Sequence, residues 1–227
     1  KILNMKKNKG HARCNAFGIR YINQNEKFDY LILMDGDGED RAVEIKSLVN
    51  KIQSDPNTSV VAKRVKRSEG LFFKFLYQMH KLITLLFTGK NINFGNYSCL
   101  TKKDADIISS KPSLWSSYSG TVKKFIKNFN EINSTRGLRY FGPSKMSFFK
   151  LLIHSLSIVA VFKLQVILRS LVIIFALYFT NFFSQNIENI IYFLLIIFNL
   201  VIFLISLRES EKGLTESQNN LSSIDNQ

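Results

Sequence analysis

Two apolar segments near the end of the chain, residues 164–183 and 190–207, restrict its possible folds more than any other feature. The second carries no charge, and only Asn199 and Ser206 interrupt it with polar side chains. At 1.5 Å per residue an 18-residue helix is about 27 Å long, close to the hydrocarbon thickness of a bilayer. The first holds one charge, Arg169, near its start, where an arginine can snorkel to the headgroups. A short linker, SQNIEN, lies between them. The pattern predicts a two-helix transmembrane hairpin, with a pair of buried core helices as the alternative. Residues 146–163 are apolar but carry Lys150, His154 and Lys163, which suits a juxtamembrane amphipathic helix lying in the interface. Basic residues flank the hairpin on its outer sides (Lys145, Lys150, Lys163, Arg169, Arg208, Lys212), and the linker has none. By the positive-inside rule both ends face the cytoplasm, as expected of a multi-pass integral membrane protein. Residues 208–227 are polar and Ser/Asn-rich, and a disordered tail is expected there.

Charge is segregated in the opposite sense. The net charge is +14, and residues 150–227 hold equal numbers of acidic and basic side chains, so the whole excess lies in residues 1–149. Phe, Ile and Leu are too abundant for a disordered chain. Two cysteines, Cys14 and Cys99, exclude a disulfide scaffold and read as reduced thiols of a cytosolic domain. His11, His80 and His154 are scattered without ligand spacing, so no zinc site is expected. The basic clusters at 6–13 and 63–67 accompany no nucleic-acid motif, and a face toward anionic lipid accounts for them equally well.

Within residues 1–145 the periodicity alternates. A helical pattern runs from Ala12 to Ile22, then the continuous apolar run of DYLILMD reads as a buried parallel strand. The loop DGDGED follows, then an amphipathic helix over 42–53 (Val43, Ile45, Leu48, Val49, Ile52) and a strand at 59–62. A strongly apolar helix is predicted over 71–87, loop and strand over 91–101, and a short helix over 103–110. A helical stretch over 112–130 and strand and loop over 131–140 complete the domain. This order is α/β.

The acidic loop carries Asp35, Asp37, Glu39 and Asp40 in six residues. Ligands of open α/β sheets bind at the carboxyl ends of strands, where Asp35 and Asp37 fall. Alternating carboxylates in a Gly-relaxed loop can converge on one hard cation, with phosphate oxygens completing its shell. Mg²⁺ or Mn²⁺ gripping a diphosphate suits this loop, and an ordinary solvated acidic turn is the alternative.

NKGHARCNAFGI, followed by DYLILMDGDGEDRAVEI, resembles family 2 glycosyltransferases, in particular the branch acting on polyprenyl phosphates (dolichyl-phosphate mannose synthase-like). The resemblance continues through GNYSCLTKKDADII and RGLRYFGPSKMSFFKLLIHSLS. It implies a GT-A-like nucleotide-diphospho-sugar transferase domain over residues 1–145, followed by the amphipathic helix and the hairpin. The family's Asn-x-Gly falls on Asn8 and Gly10, which with Asp35 become donor-binding residues. Its Asp-x-Asp falls on Asp35 and Asp37, implied as catalytic. Asp37 and Glu39 are the implied metal ligands, with Glu39 standing where the family commonly has Gln. Arg64, Arg67, Lys145, Arg136 and Arg139 are candidates for the acceptor phosphate, for which the guanidinium fork is suited.

The implied function is sugar transfer from a nucleotide-sugar donor to a polyprenyl phosphate at the cytoplasmic face, with metal assistance, in cell-envelope biogenesis. A lipid-linked saccharide acceptor is the alternative, and a non-catalytic, membrane-anchored remnant is a third reading from another class. Residues 107–130 hold no acid to deprotonate an acceptor hydroxyl, and Asp104 and Asp106 are poorly placed. A phosphate acceptor needs no such base, because it is already ionised. The family's opening βα units find no counterpart here, so the domain is expected to be N-terminally incomplete by roughly 60–80 residues. A 227-residue chain that does not hold its donor properly is the corresponding expectation.

Overall fold

The computed structural model describes residues 1–66, 71–142, 147–180 and 182–226. Its strands are β1 (Ile2–Met5), β2 (Tyr30–Leu33), β3 (Val60–Lys66), β4 (Phe94–Thr101), β5 (Asn130–Thr135) and β6 (Leu221–Asp225). Its helices are α1 (His11–Asn25), α2 (Ile45–Ser54), α3 (Leu71–Thr88), α4 (Lys102–Ser109) and α5 (Tyr118–Phe125). They continue with α6 (Phe148–Ala160), α7 (Lys163–Thr180), α8 (Gln185–Ser206) and α9 (Glu211–Thr215). The chain forms two units. One comprises Lys1–Ser68, Phe94–Pro143 and Glu209–Gln227, and the other Glu69–Asn93 and Ser144–Arg208.

The first unit is built on a four-stranded mixed sheet of order β2-β4-β3-β5. β4 runs antiparallel to both β2 and β3, while β3 and β5 are parallel. The expected buried parallel strand is thus an edge strand among the described residues, antiparallel to β4 with Leu33 opposite Ser98. Its apolar run reports burial of Leu31 but carries no information about strand direction, and Tyr30 is exposed. The apolar spacing of α2 lays Leu48 and Ile52 on Val60, Ala62, Tyr97 and Cys99. Full burial of each such aliphatic side chain contributes about 1.5–3 kcal/mol. Thr101 and Ser117 cap α4 and α5, accepting from Asp104 N–H and Gly120 N–H at 3.2 Å each.

The polar tail belongs to this unit and is ordered, against expectation. β6 pairs antiparallel with β1, Ile2 facing Asp225, and Leu214 of α9 is fully buried. Backbone pairing does not require an apolar sequence, so composition could not reveal it.

In the second unit, Phe87 of α3 packs with Val159, Ala160, Val166, Leu195 and Ile202 from α6, α7 and α8. Residues 69–93 therefore lie with the C-terminal helices, and a single boundary at 145 does not describe the chain. Both α7 and α8 are long and apolar enough to cross a membrane, at 18 and 22 residues. α8 starts earlier than expected. Ser184 precedes it as the N-cap residue, and Glu188 sits in its first turn, where the helix dipole favours an acid. Asn199 Nδ2 donates to Ser170 Oγ at 2.8 Å, tying α8 to α7. Arg169 does not merely extend outward: its guanidinium donates to Leu86 O at 3.1 Å, at the C-terminal end of α3.

Candidate active site

β2 delivers the chain into the acidic loop, and the loop's own hydrogen bonds give it shape. Asp35 N–H donates to Asp40 Oδ2 at 3.0 Å, closing the loop on itself. Asp37 Oδ1 accepts from Glu39 N–H at 3.1 Å, and Gly38 between them has φ of 92°, a conformation that favours glycine. Asp40 is buried, only 4% exposed, with Arg64 3.6 Å away. Burial holds its carboxyl above the usual carboxylate range, and the Asp35 N–H, Arg64 and Arg136 pull partly against that. Tyr97 donates its hydroxyl to Arg41 O at 2.8 Å and anchors the far end of the loop on the core.

A second segment, residues 136–140, lies along the loop. Gly137 N–H donates to Glu39 O and Tyr140 N–H to Asp37 O, both at 2.9 Å. Arg136 pairs with Glu39. Arg139 Nε donates to Glu39 Oε1 at 3.0 Å, while one of its terminal nitrogens lies 3.3 Å from Glu39 Oε2 and 3.2 Å from Asp37 Oδ2. The approach depends on two glycines. A Cβ on Gly38 would come within 2.8 Å of the Tyr140 ring, and one on Gly137 within 2.5 Å of Gly38 O.

On the other side of the loop stands His11, the first residue of α1. Its Nε2 is 3.4 Å from Asp35 Oδ1 and 2.6 Å from Asn96 Nδ2, which also donates to Asp35 Oδ1 at 3.2 Å. Asn8 and Gly10 make the turn that presents it: Asn8 Oδ1 accepts from Gly10 N–H at 2.9 Å, and Gly10 has φ of 93°. They also line a cavity of about 260 Å³ with Lys7, Lys9, Arg13 and Trp115. A cavity of about 360 Å³ near the start of β2, lined by Glu26 to Asp29 and Lys102, includes none of the candidate residues.

The structure thus gathers Asp35, Asp37, Glu39, Arg64, Arg136 and Arg139 around one loop. Arg64 turns inward to Asp40 and against Gly95, where a Cβ would lie 2.8 Å from its guanidinium. Arg67 and Lys145 lie outside the described residues. Asp104 and Asp106 serve elsewhere: Asp104 accepts from Ser59 Oγ at 2.5 Å, and Asp106 pairs with Lys102 at 2.6 Å. Sequence reasoning passed over His11 and Asn96. The usable signal for His11 was its place directly after a Gly that opens a helix.

Among the described residues no three His, Cys, Asp or Glu side chains converge as a metal cluster. Asp37 and Glu39 nonetheless contact one guanidinium, so a single cation reaches both carboxylates. Mg²⁺ is commonly held by one or two carboxylates together with substrate phosphates, and this oxygen pair fits that chemistry.

Comparison with known proteins bears on the same stretch. Residues 1–113 match the family model described as Glycosyl transferase family 2. No curated protein matches the chain. The matched stretch contains Asn8, Gly10, His11, the whole acidic loop, Arg64 and Asn96, whereas Arg136 and Arg139 fall beyond it. Residues 1–113 are accordingly similar to family 2 glycosyl transferases, with the acidic loop inside the matched stretch.

Proposed function

We propose that this protein is a membrane-bound glycosyltransferase that moves a sugar from a nucleotide-sugar donor to a polyprenyl phosphate at the cytoplasmic face. The observation that carries this reading is the meeting of the acidic loop with Arg136 and Arg139. It puts carboxylates suited to a cation and guanidinium groups suited to phosphate in one place. The helices α7 and α8, each long and apolar enough to cross a membrane, support the membrane location that a lipid acceptor requires.

In this reading Asp35, steadied by Asn96, orients the donor, with Asn8 and Gly10 shaping the adjoining turn. Asp37 and Glu39 hold Mg²⁺ or Mn²⁺, which when bound neutralises the diphosphate leaving group. Arg136 and Arg139 bind and orient the acceptor phosphate. An oxygen of that phosphate forms the new bond to the anomeric carbon from the face opposite the leaving group. The bond from that carbon to the donor diphosphate breaks, and the nucleoside diphosphate departs with the electron pair. A phosphate monoester has its second pKa near 6, so no side chain has to remove a proton. A hydroxyl acceptor would need a base, and His11 beside Asp35 is the observation that favours this second reading.

The two readings separate in one assay. Membranes containing the protein are given labelled nucleotide sugars with polyprenyl phosphate, or with the corresponding polyprenol. Label in an acid-labile glycosyl phosphate lipid, formed from polyprenyl phosphate alone, is the expected result. Transfer only to hydroxyl acceptors, abolished by His11→Ala, would replace it with the second reading.

A further inference from the structure

We propose that residues 136–140 are a latch, in which Arg139, backed by Arg136, occupies the cation position of the acidic loop until a divalent cation displaces it. This inference rests on the proposed roles of Asp37 and Glu39 and adds an order to them. The guanidinium of Arg139 already bridges the two carboxylates, at 3.2 Å from Asp37 and 3.0 Å from Glu39. A metal ion and this guanidinium therefore compete for the same oxygens.

The manner of docking makes release feasible. Backbone hydrogen bonds and ion pairs hold the segment. Its large apolar side chains add little, since Leu138 is 82% exposed and Tyr140 66%. Segments with few buried apolar contacts open at the low end of the free-energy range. A contact made mainly of charge yields to a competitor of higher charge, and a divalent cation carries twice the charge of a guanidinium. Once displaced, Arg136 and Arg139 can turn to phosphate. Donor with its cation would then bind first, and the acceptor phosphate second.

The test uses Mn²⁺ alone as the probe, with the full protein in detergent micelles and free Mn²⁺ read by electron paramagnetic resonance. Arg139→Ala should bind Mn²⁺ about tenfold more tightly than wild type, equivalent to about 1.4 kcal/mol. Asp37→Asn combined with Arg139→Ala should lose that gain, which confines the effect to this site. In wild type, Mn²⁺ with a nucleoside diphosphate (uridine and guanosine in turn) should speed tryptic cleavage after Arg136 and Arg139. Unchanged or weaker Mn²⁺ binding by Arg139→Ala, or no Mn²⁺ binding by either protein, overturns the latch. The transferase reading fails separately: sugar transfer with unchanged Mn²⁺ affinity removes the latch alone. Tighter Mn²⁺ binding by Arg139→Ala without any sugar transfer in wild type removes the transferase reading alone.

Discussion

Asp40 is the acid of the loop that the rest of the site encloses, and its burial makes it report on pH. A carboxyl raised above its ordinary value favours the protonated form in the folded chain. Its contribution to stability is therefore complete below the ordinary aspartate pKa, and is lost as pH rises through the raised value. Asp40→Asn stays neutral throughout, so its stability relative to wild type should improve as pH rises from about 4 toward neutrality. Thermal unfolding of both proteins across that range checks this. A difference that is flat, or that turns against the variant as pH rises, would refute it. At this scale the loop was legible in the sequence because it is local: Asp35, Asp37 and Glu39 are spaced by single residues. Their partners were not legible as partners, since Arg136 and Arg139 stand about a hundred residues away and were read as phosphate ligands only.

Among the elements, α3 depends on a contact from another helix. Its last turn leaves carbonyl groups without intrahelical donors, and Arg169 of α7 satisfies Leu86 O. Gly89 follows with φ of +69°, and a Cβ there would collide with the Arg169 guanidinium. Arg169→Ala should cost about 1 kcal/mol, from one hydrogen bond and the dipole interaction. Gly89→Ala should cost about 1 kcal/mol from its positive φ, more where Arg169 remains in the way. The double variant should therefore lose less than the two single losses combined, measured by unfolding in detergent. Full additivity would show that the guanidinium does not crowd Gly89. The helices were read well from periodicity, because α2, α4 and the hairpin each repeat apolar residues at the helical interval. The failures were strands. β2 was taken as parallel because an apolar run is silent about its neighbours, and β1 and β6 were missed because each is short and its partner lies at the opposite end of the chain.

For the whole molecule, the membrane reading has its own check in the two thiols. Cys14 is exposed, while Cys99 is buried in the sheet and desolvation pushes its thiol up to about 11. A thiolate is the reactive form, so at neutral pH a maleimide should modify Cys14 and leave Cys99 untouched. If both ends of the proposed hairpin face the cytoplasm, an impermeant maleimide should label Cys14 only in sealed vesicles whose cytoplasmic face is outward. Labelling in the opposite orientation would reverse the topology. The central claim is sugar transfer to a lipid phosphate, and it meets its most direct test in membranes containing wild type or Asp37→Ala, supplied with labelled nucleotide sugar and polyprenyl phosphate. The account predicts a labelled glycosyl phosphate lipid with wild type and at least a hundredfold less with Asp37→Ala, a loss of about 2.7 kcal/mol or more in transition-state stabilisation. Equal product from both proteins, or none from wild type, would contradict it.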